Sequence, residues 1–351
     1  MTAGLSTRPA LTVIGENIHC TRVALRKGKR IAERDGAEAI LYRSADGEER
    51  ALPVTEAAKR TKDYEEGRVK HVQVAIETAM ETAASDPPGD AAEGLRYIEA
   101  LVRHQERAGA AFLDLNVDEI SPKLGVQTAA MAWLAGTVQG MTALPLSIDS
   151  SSVDVIRAGL EAIAPARARA MLNSASLERL EALDLARAHD CRVVVTAAGE
   201  RGMPDGAEGR VANAARMVEE ALARGFGLGD LYIDPLVFPI SVDSRYGRHC
   251  LDAIRALRAR FGDDIHITGG MSNVSFGLPA RTLLNEMFIL LAVDAGADGA
   301  IMDPVASPPE AILAIDRTDP RYQLAEDVML GRDEHCMAYI RAWRKGRLAT
   351  T

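Results

Sequence analysis

Short apolar runs that end in polar residues alternate along this chain with longer stretches of helical periodicity. The runs are Leu11–Ile18, Phe112–Val117, Pro145–Asp149, Ala168–Ser174, Arg192–Ala198, Leu231–Pro235, Ile265–Met271 and Gly299–Pro304. Helical stretches lie at Glu93–Ala108, before the second run, and then at Pro122–Gly140, Val153–Ala162, Leu177–His189, Gly209–Arg224, Val242–Arg260 and Pro279–Ala295. Strands alternating with helices in this number predict an α/β fold, a (β/α)8 TIM barrel, rather than a doubly wound sheet, which usually has about six strands. Ser121 and Pro122 read as an N-cap and first turn, followed by Met131, Leu134, Val138 and Met141 at spacings of three and four. In the second run Leu113, Leu115 and Val117 would face the helices, leaving Phe112, Asp114 and Asn116 to point inward. Polar groups at an inward strand end suit a ligand mouth, because a sealed core would leave them unpaired.

Two segments fall outside the repeat. About seventy residues separate the first strand from the helix at Glu93, far more than a usual βα loop. This insertion, residues 19–90, contains Ala39–Arg43 and Arg50–Val54 around Ser44-Ala45-Asp46-Gly47, a hairpin with an Asp-Gly turn. Lys62 to Ala84 is charged and expected to be helical, ended by Asp86-Pro87-Pro88-Gly89. Leaving the C-terminal end of a barrel strand, the insertion would hang over the mouth as a lid or docking platform, or be a surface decoration. The tail, residues 309–351, has helical stretches at Ala325–Leu330 and Glu334–Trp343, and its Arg341, Arg344, Lys345 and Arg347 read as a solvated helix end. Residues 1–10 read as a loose terminus, so the chain is expected to be one barrel domain with an insertion and a tail.

The formal net charge of −9 argues against nucleic acid or an anionic membrane surface as a partner and favours a small ligand or another protein. The four cysteines, Cys20, Cys191, Cys250 and Cys336, form neither a metal-type nor a disulfide-type spacing, which points to reduced thiols and the cytoplasm. No apolar run approaches ~18 residues and no leader pattern is present, so neither membrane spanning nor secretion is expected.

The candidate chemistry lies at the strand ends: Glu16 and Asn17, Asp114 and Asn116, Asp149, Asn173, Asp234, Asn273 and Asp303. Any one of these could simply cap a following helix, but a (β/α)8 barrel brings such positions to one end. The stretch Gly269-Gly270-Met271-Ser272-Asn273-Val274-Ser275-Phe276-Gly277-Leu278-Pro279 has the form of a binding loop that feeds a helix starting at Pro279. Four aspartates could hold Mg²⁺, yet the asparagines are poor ligands and the seven histidines show no HxH or HExxH spacing, so no metal is expected. A phosphate would rest on backbone amides alone, since no lysine or arginine lies between Thr268 and Ala280. Carboxylates and amides without matching cations suit a donor-rich planar heterocycle instead, such as the guanidine-like edge of a pterin.

Here the residues match a known family. Gly15-Glu16-Asn17-Ile18, Leu113-Asp114-Leu115-Asn116-Val117, Ser147-Ile148-Asp149-Ser150, Met171-Leu172-Asn173-Ser174, Leu231-Tyr232-Ile233-Asp234-Pro235-Leu236 and Ser272-Asn273-Val274-Ser275 occur in family order, with Arg281 and Asn285 continuing the last match. The chain resembles the pterin-binding, corrinoid-dependent methyltransferases: the methyltetrahydrofolate:corrinoid protein methyltransferases and the folate domain of cobalamin-dependent methionine synthase. The resemblance implies that Asp149, Asn173 and Asp234 hydrogen-bond the pterin, with Asn116, Asp114, Ser272, Gly270 and Arg281 around it, and that Asn273 reaches N5, where the methyl group is exchanged. Tetrahydrofolate or 5-methyltetrahydrofolate would be the substrate, cobalamin would arrive on a separate corrinoid protein because no Asp-x-His-x-x-Gly carrier motif is present, and a homodimer is expected. Arg281 could equally be a structural partner of its loop, and Asn273 a helix cap. The insertion and His19, where an asparagine is expected, depart from the family pattern. The related dihydropteroate synthases are the enzymatic alternative. They carry an asparagine-threonine-proline motif after the first strand and a basic residue on the seventh, where this chain has Gly15-Glu16-Asn17-Ile18-His19 and Thr268-Gly269-Gly270-Met271-Ser272. A non-catalytic folate-binding or corrinoid-protein scaffold is the other alternative.

Overall fold

The structure, a computed structural model, describes residues 11–348 apart from 35, 83–88 and 201. The loose terminus expected at residues 1–10 and the helix breaker at Asp86-Pro87-Pro88 lie outside the described residues. The repeat strands are β1 (Thr12–His19), β2 (Phe112–Asn116), β3 (Leu146–Asp149), β4 (Met171–Ala175), β5 (Arg192–Thr196), β6 (Leu231–Asp234), β7 (His266–Ile267) and β8 (Gly299–Met302). They form one sheet in the order β7-β6-β5-β4-β3-β2-β1-β8. Its two ends also meet, because the Ile301 N–H donates to the Gly269 carbonyl at 2.9 Å and the Asp298 N–H to the Ile267 carbonyl at 3.2 Å. The fold is therefore the (β/α)8 barrel read from the alternation of runs. Strands buried on both faces need near-continuous apolar runs, and Val193, Val194 and Val195 of β5 are all fully buried.

The helices between strands are Gly89–Arg107, Leu124–Val138, Val153–Glu161, Glu181–Ala188, Ala207–Ala223, Tyr246–Phe261 and Arg281–Ala295. Two expected helix starts are corrected. Ser121 is not an N-cap: its hydroxyl accepts the Lys123 N–H at 3.2 Å in a short turn of its own, and the helix begins only at Leu124. Pro279 is not in a first turn either, because Ala280 takes a left-handed conformation (φ 47°) that breaks the chain before Arg281. The Ala280 carbonyl is held by the hydroxyl of Tyr339, a fully buried residue of the tail helix Met337–Arg344, at 3.0 Å.

Two compact units arise from the chain. Among the described residues, one comprises 11–14, Ala175–Leu183 and those from Val193 to Leu348, the other those of Gly15–Ser174 and Asp184–Arg192. The insertion belongs to the second unit. Its hairpin is present, with Arg43 paired to Glu49, the Ser44 N–H donating to Glu48 at 2.9 Å, and Gly47 at φ 93°. A third strand, Ile31–Arg34, pairs with Ala37–Arg43 and was not foreseen. The helix expected from Lys62 onward is corrected: Lys62–Glu65 makes a single turn, Gly67 reverses the chain at φ 80°, and Arg68–Lys70 pairs with Val23–Leu25 before a helix resumes at His71–Thr82. Propensity gives way here to the strand partner that Val23-Ala24-Leu25 supplies. The insertion is tied to the end of β2: the Cys20 N–H donates to the Asn116 carbonyl at 2.9 Å, Lys70 Nζ reaches Glu119 at 2.9 Å, and Gln73 Nε2 donates to the Ile120 carbonyl at 3.3 Å.

In the tail, helices lie at Pro320–Met329 and Met337–Arg344, and Arg341, Arg344, Lys345 and Arg347 are exposed as expected of a solvated cap. No helix among the described residues is long and apolar enough to cross a membrane. All four cysteines are buried and free.

Candidate functional site

In the second unit, parallel register sets Asn116 beside Asp149 and Asp149 beside Asn173 at the strand ends. Asp114, one pleat deeper, is fully buried. A carboxylate there is tolerable only with partners, and it has two. His19 Nε2 lies 2.9 Å from its Oδ2, and Asn173 Nδ2 donates to its Oδ1 at 3.4 Å. Asn116 is fixed at both ends: its Oδ1 accepts the Asp118 N–H at 3.0 Å, and its Nδ2 donates to Asp149 Oδ2 at 2.8 Å. Asp118 in turn accepts the Ser151 N–H at 2.8 Å and a hydrogen bond from the Ser150 hydroxyl.

This network uses one hydrogen of each side-chain amide and leaves acceptors. Asp149 Oδ1 and Asn173 Oδ1 are not used by it, while both oxygens of Asp114 are. A group of free acceptors selects a ligand edge rich in N–H, the chemistry inferred from the residue types alone. Glu16 and Asn17 behave differently. Arg22 Nη2 donates to Glu16 Oε1 at 3.1 Å and to Asn17 Oδ1 at 2.8 Å, so these two strand-end residues hold the root of the insertion.

His19 Nε2 and one oxygen each of Asp114 and Asp149 lie within 4.8 Å of one another, a grouping that the histidine spacing along the chain did not disclose. His19 Nε2 and Asp114 are already hydrogen-bonded together, and one oxygen of Asp149 is held by Asn116. Burial alone would lower the His19 pKa, but the hydrogen bond and charge of Asp114, with the charges of Asp149 and Glu16, raise it overall.

The first unit supplies the remaining strand ends. Asp234 closes β6, its Oδ1 accepting the Leu236 N–H at 2.7 Å and its carboxylate also receiving a backbone hydrogen bond from Gly270. A Cβ at Gly269 would stand 3.0 Å from Asp234 Oδ1, a tight contact to which the carboxylate would have to yield; at Gly270 it would stand 2.9 Å from Asn273 Nδ2. Asn273 lies in a 3₁₀ turn, Met271–Ser275, and its side-chain amide is half-buried with no hydrogen-bond partner among the described residues. It does not cap the following helix, whose N-cap is Ala280. Arg281 is a partner of this loop: Nη2 donates to the Ser272 carbonyl at 2.8 Å, Nε to Ser275 Oγ at 2.9 Å, and the guanidinium lies 4.3 Å from the Phe276 ring centre. The Ser241 hydroxyl holds the Phe276 carbonyl at 2.6 Å. The loop backbone is thus braced, and conformational freedom is left to the Asn273 side chain. Asp303 turns back on its own chain, accepting from Val305 and Ala306 at 3.1 and 3.0 Å.

Residues 90–303 match the pterin binding enzyme family. The chain belongs to that family. Within it, the chain is 31% identical over 260 residues to the methylcorrinoid:tetrahydrofolate methyltransferase of Eubacterium limosum, a match covering 71% of this chain and 89% of that protein. It is 32% identical over 217 residues to the methionine synthase of Mycobacterium leprae, 58% of this chain but only 17% of that protein. Among solved structures it is similar in fold to the dihydropteroate synthase of Stenotrophomonas maltophilia with active-site-bound imidazole, at a TM-score of 0.50 and 22% identity, over 62% of this chain and 86% of that one. The family match begins where the insertion ends and does not include β1.

Burial pushes the Asp149 carboxyl up to about 7, with the Asp114 charge adding to it and the His19 charge and Asn116 hydrogen bond opposing. Burial likewise pushes Asp234 up to about 6, against the Leu236 and Gly270 N–H groups and the charge of Arg210. A carboxylate must be ionised to accept two N–H groups, so binding of a donor-rich ligand releases protons whenever these groups are protonated beforehand. Affinity for such a ligand is therefore expected to fall as pH drops below about 7, approaching tenfold per pH unit for each group titrated. Folding responds with the opposite sign. Because the folded pKa values lie above the unfolded ones, these carboxylates cost stability above about pH 7 and cease to do so as pH falls toward the ordinary carboxylate range. Binding titrations at several pH values check the first trend; affinity independent of pH across this window would contradict it.

Proposed function

We propose that this chain transfers a methyl group between a methylcorrinoid held by a separate protein and N5 of tetrahydrofolate. The observation that carries the reading is the match over most of its length to a protein named as a methylcorrinoid:tetrahydrofolate methyltransferase. The free acceptors around Asp149 and Asn173 support it, because a pterin presents N–H groups to be accepted. In this reading Asp149, Asn173 and Asp234 anchor the pterin, Asn116 and Asp114 orient the anchors, and Gly270, Ser272 and Arg281 shape the loop that presents Asn273. Transfer to tetrahydrofolate forms the N5–carbon bond as the cobalt–carbon bond breaks with its electron pair left on the corrinoid, and the proton on N5 is then lost. The chain needs no covalent nucleophile for this; it positions the pterin and stabilises the charge that develops at N5. The Asn273 amide can donate to N5 or accept from it, and so can follow the change of protonation without bearing a charge. The dihydropteroate synthase alternative finds support only in the shared fold.

The test is methyl exchange between methylcobalamin, substituting for the protein-bound cofactor, and tetrahydrofolate. A non-catalytic folate-binding scaffold would bind tetrahydrofolate without exchange.

The insertion enters the same proposal as the docking surface for the corrinoid protein, since its root is bonded to the β2 end that carries Asn116. Arg26 and Gly67 are adjacent in space, the Arg26 N–H donating to the Gly67 carbonyl at 2.9 Å, so residues 27–66 can be replaced by a short linker. Tetrahydrofolate binding and exchange with free methylcobalamin are expected to persist in that variant, while transfer from the corrinoid protein falls. Undiminished transfer from the carrier would make the segment a decoration.

A further inference from the structure

Arg210, on the helix Ala207–Ala223, is completely buried, yet no carboxylate hydrogen-bonds it among the described residues. Burying a guanidinium without a paired anion costs free energy that the rest of the site must offset, so its placement calls for a reason. Its Nε donates to the Leu236 carbonyl at 3.3 Å and its Nη1 to the Gly206 carbonyl at 3.0 Å. The guanidinium lies 4.6 Å from the Phe238 ring centre, and Nη2 has no hydrogen-bond partner among the described residues. The residue it grips is itself unusual: Leu236 sits at φ 67°, a left-handed conformation that strains a non-glycine residue. That conformation aims the Leu236 N–H at Asp234 Oδ1, 2.7 Å away. One peptide unit on, the Leu236 carbonyl is the group that Arg210 holds. Among the described residues, the charge of Asp234 acts on Arg210, as do the Cys250 and Tyr246 groups.

We propose that Arg210 is a positioning residue for Asp234: it locks the left-handed Leu236 turn that fixes one carboxylate oxygen, and its positive charge keeps the buried carboxylate ionised and ready to accept N–H groups. The proposal rests on the reading of Asp234 as a pterin ligand for its consequence, but not for its mechanism. Removing the cation raises the cost of ionising Asp234 in its buried setting, so Asp234 should titrate at higher pH. Removing the fork geometry while keeping the charge should loosen the turn without moving the titration.

Three variants separate the two contributions: Arg210→Gln removes charge, Arg210→Lys keeps charge but loses the fork, and Leu236→Gly adopts the left-handed turn without strain. The Asp234 carboxyl is followed by carbon NMR of carboxyl-labelled protein, with Asp234→Asn identifying its signal, and tetrahydrofolate affinity is measured in parallel across the same pH range. Arg210→Gln is expected to move the Asp234 midpoint upward and to shift the fall in tetrahydrofolate affinity to higher pH with it. Arg210→Lys is expected to leave the midpoint in place and weaken tetrahydrofolate binding several-fold, and adding Leu236→Gly should restore most of that loss. An unmoved midpoint in Arg210→Gln, or an Arg210→Lys defect that Leu236→Gly leaves unchanged, overturns the proposal and leaves Arg210 a packing residue. If Arg210→Gln does not fold, the Arg210→Lys and Leu236→Gly pair still decides, through its coupling. Should the wild type not bind tetrahydrofolate, the function proposed above fails, while the Asp234 titration and the thermal stability of the Arg210→Lys and Leu236→Gly pair still judge Arg210.

Discussion

Asn273→Ala is expected to slow methyl transfer by about 10²-fold or more, the range for loss of a hydrogen-bond donor to a developing charge, with a smaller effect on tetrahydrofolate affinity. The expectation follows from the side chain's isolation. Its amide has no partner among the described residues, while the backbone around it is held by Arg281 and Ser241. A residue kept for structure would show the reverse. Since Asn273 contributes no cap to the helix at Arg281, its removal should leave the melting temperature almost unchanged. Single-turnover transfer and a melting curve on the same variant give both numbers, and a normal rate with lowered stability would contradict the role.

Asp149→Ala and Asp234→Ala should each weaken tetrahydrofolate binding by about 1.5–3 kcal/mol, roughly ten- to over a hundredfold, as expected for losing a charged hydrogen-bond partner. The two should differ in their effect on the empty protein. Losing Asp149 strips Asn116 Nδ2 of its acceptor and removes a charge that raises the His19 pKa. Losing Asp234 frees the Leu236 N–H and opens space over Gly269. Because both carboxylates are costly to bury ionised, neither truncation is expected to destabilise the fold as much as it weakens binding. Near wild-type affinity in both variants would remove them from the pterin anchor.

Where the sequence was legible, a periodic or chemical signal stood in one short window. β5 shows its burial as Val193-Val194-Val195, and the hairpin shows its turn as Asp46-Gly47. The strand-end residues Asp114, Asn116, Asp149 and Asn173 were legible because parallel register gathers what the repeat places at equivalent heights. What could not be read depended on partners distant in sequence. His19 meets Asp114 across 95 positions, and Tyr339 reaches Ala280 across 59, with no local pattern to announce either contact. The helix expected from Lys62 onward failed for the same reason, since Arg68–Lys70 is a strand only because Val23–Leu25 lies beside it. Ser121 and Pro279 failed through competition: each belongs to a turn that precedes the helix it was expected to start. The Arg210 grip on Leu236 joins residues 26 positions apart and is visible only once the left-handed turn is seen.

The proposed activity is the movement of a methyl group between a corrinoid and tetrahydrofolate. The most direct measurement is the purified protein with methylcobalamin and tetrahydrofolate under anaerobic conditions, following 5-methyltetrahydrofolate by chromatography and the demethylated cobalamin by absorbance. Equal amounts of the two products are expected, formed with wild type and strongly slowed with Asn273→Ala; tetrahydrofolate binding with no exchange, alongside a corrinoid protein that also donates no methyl group, would contradict the proposed transfer.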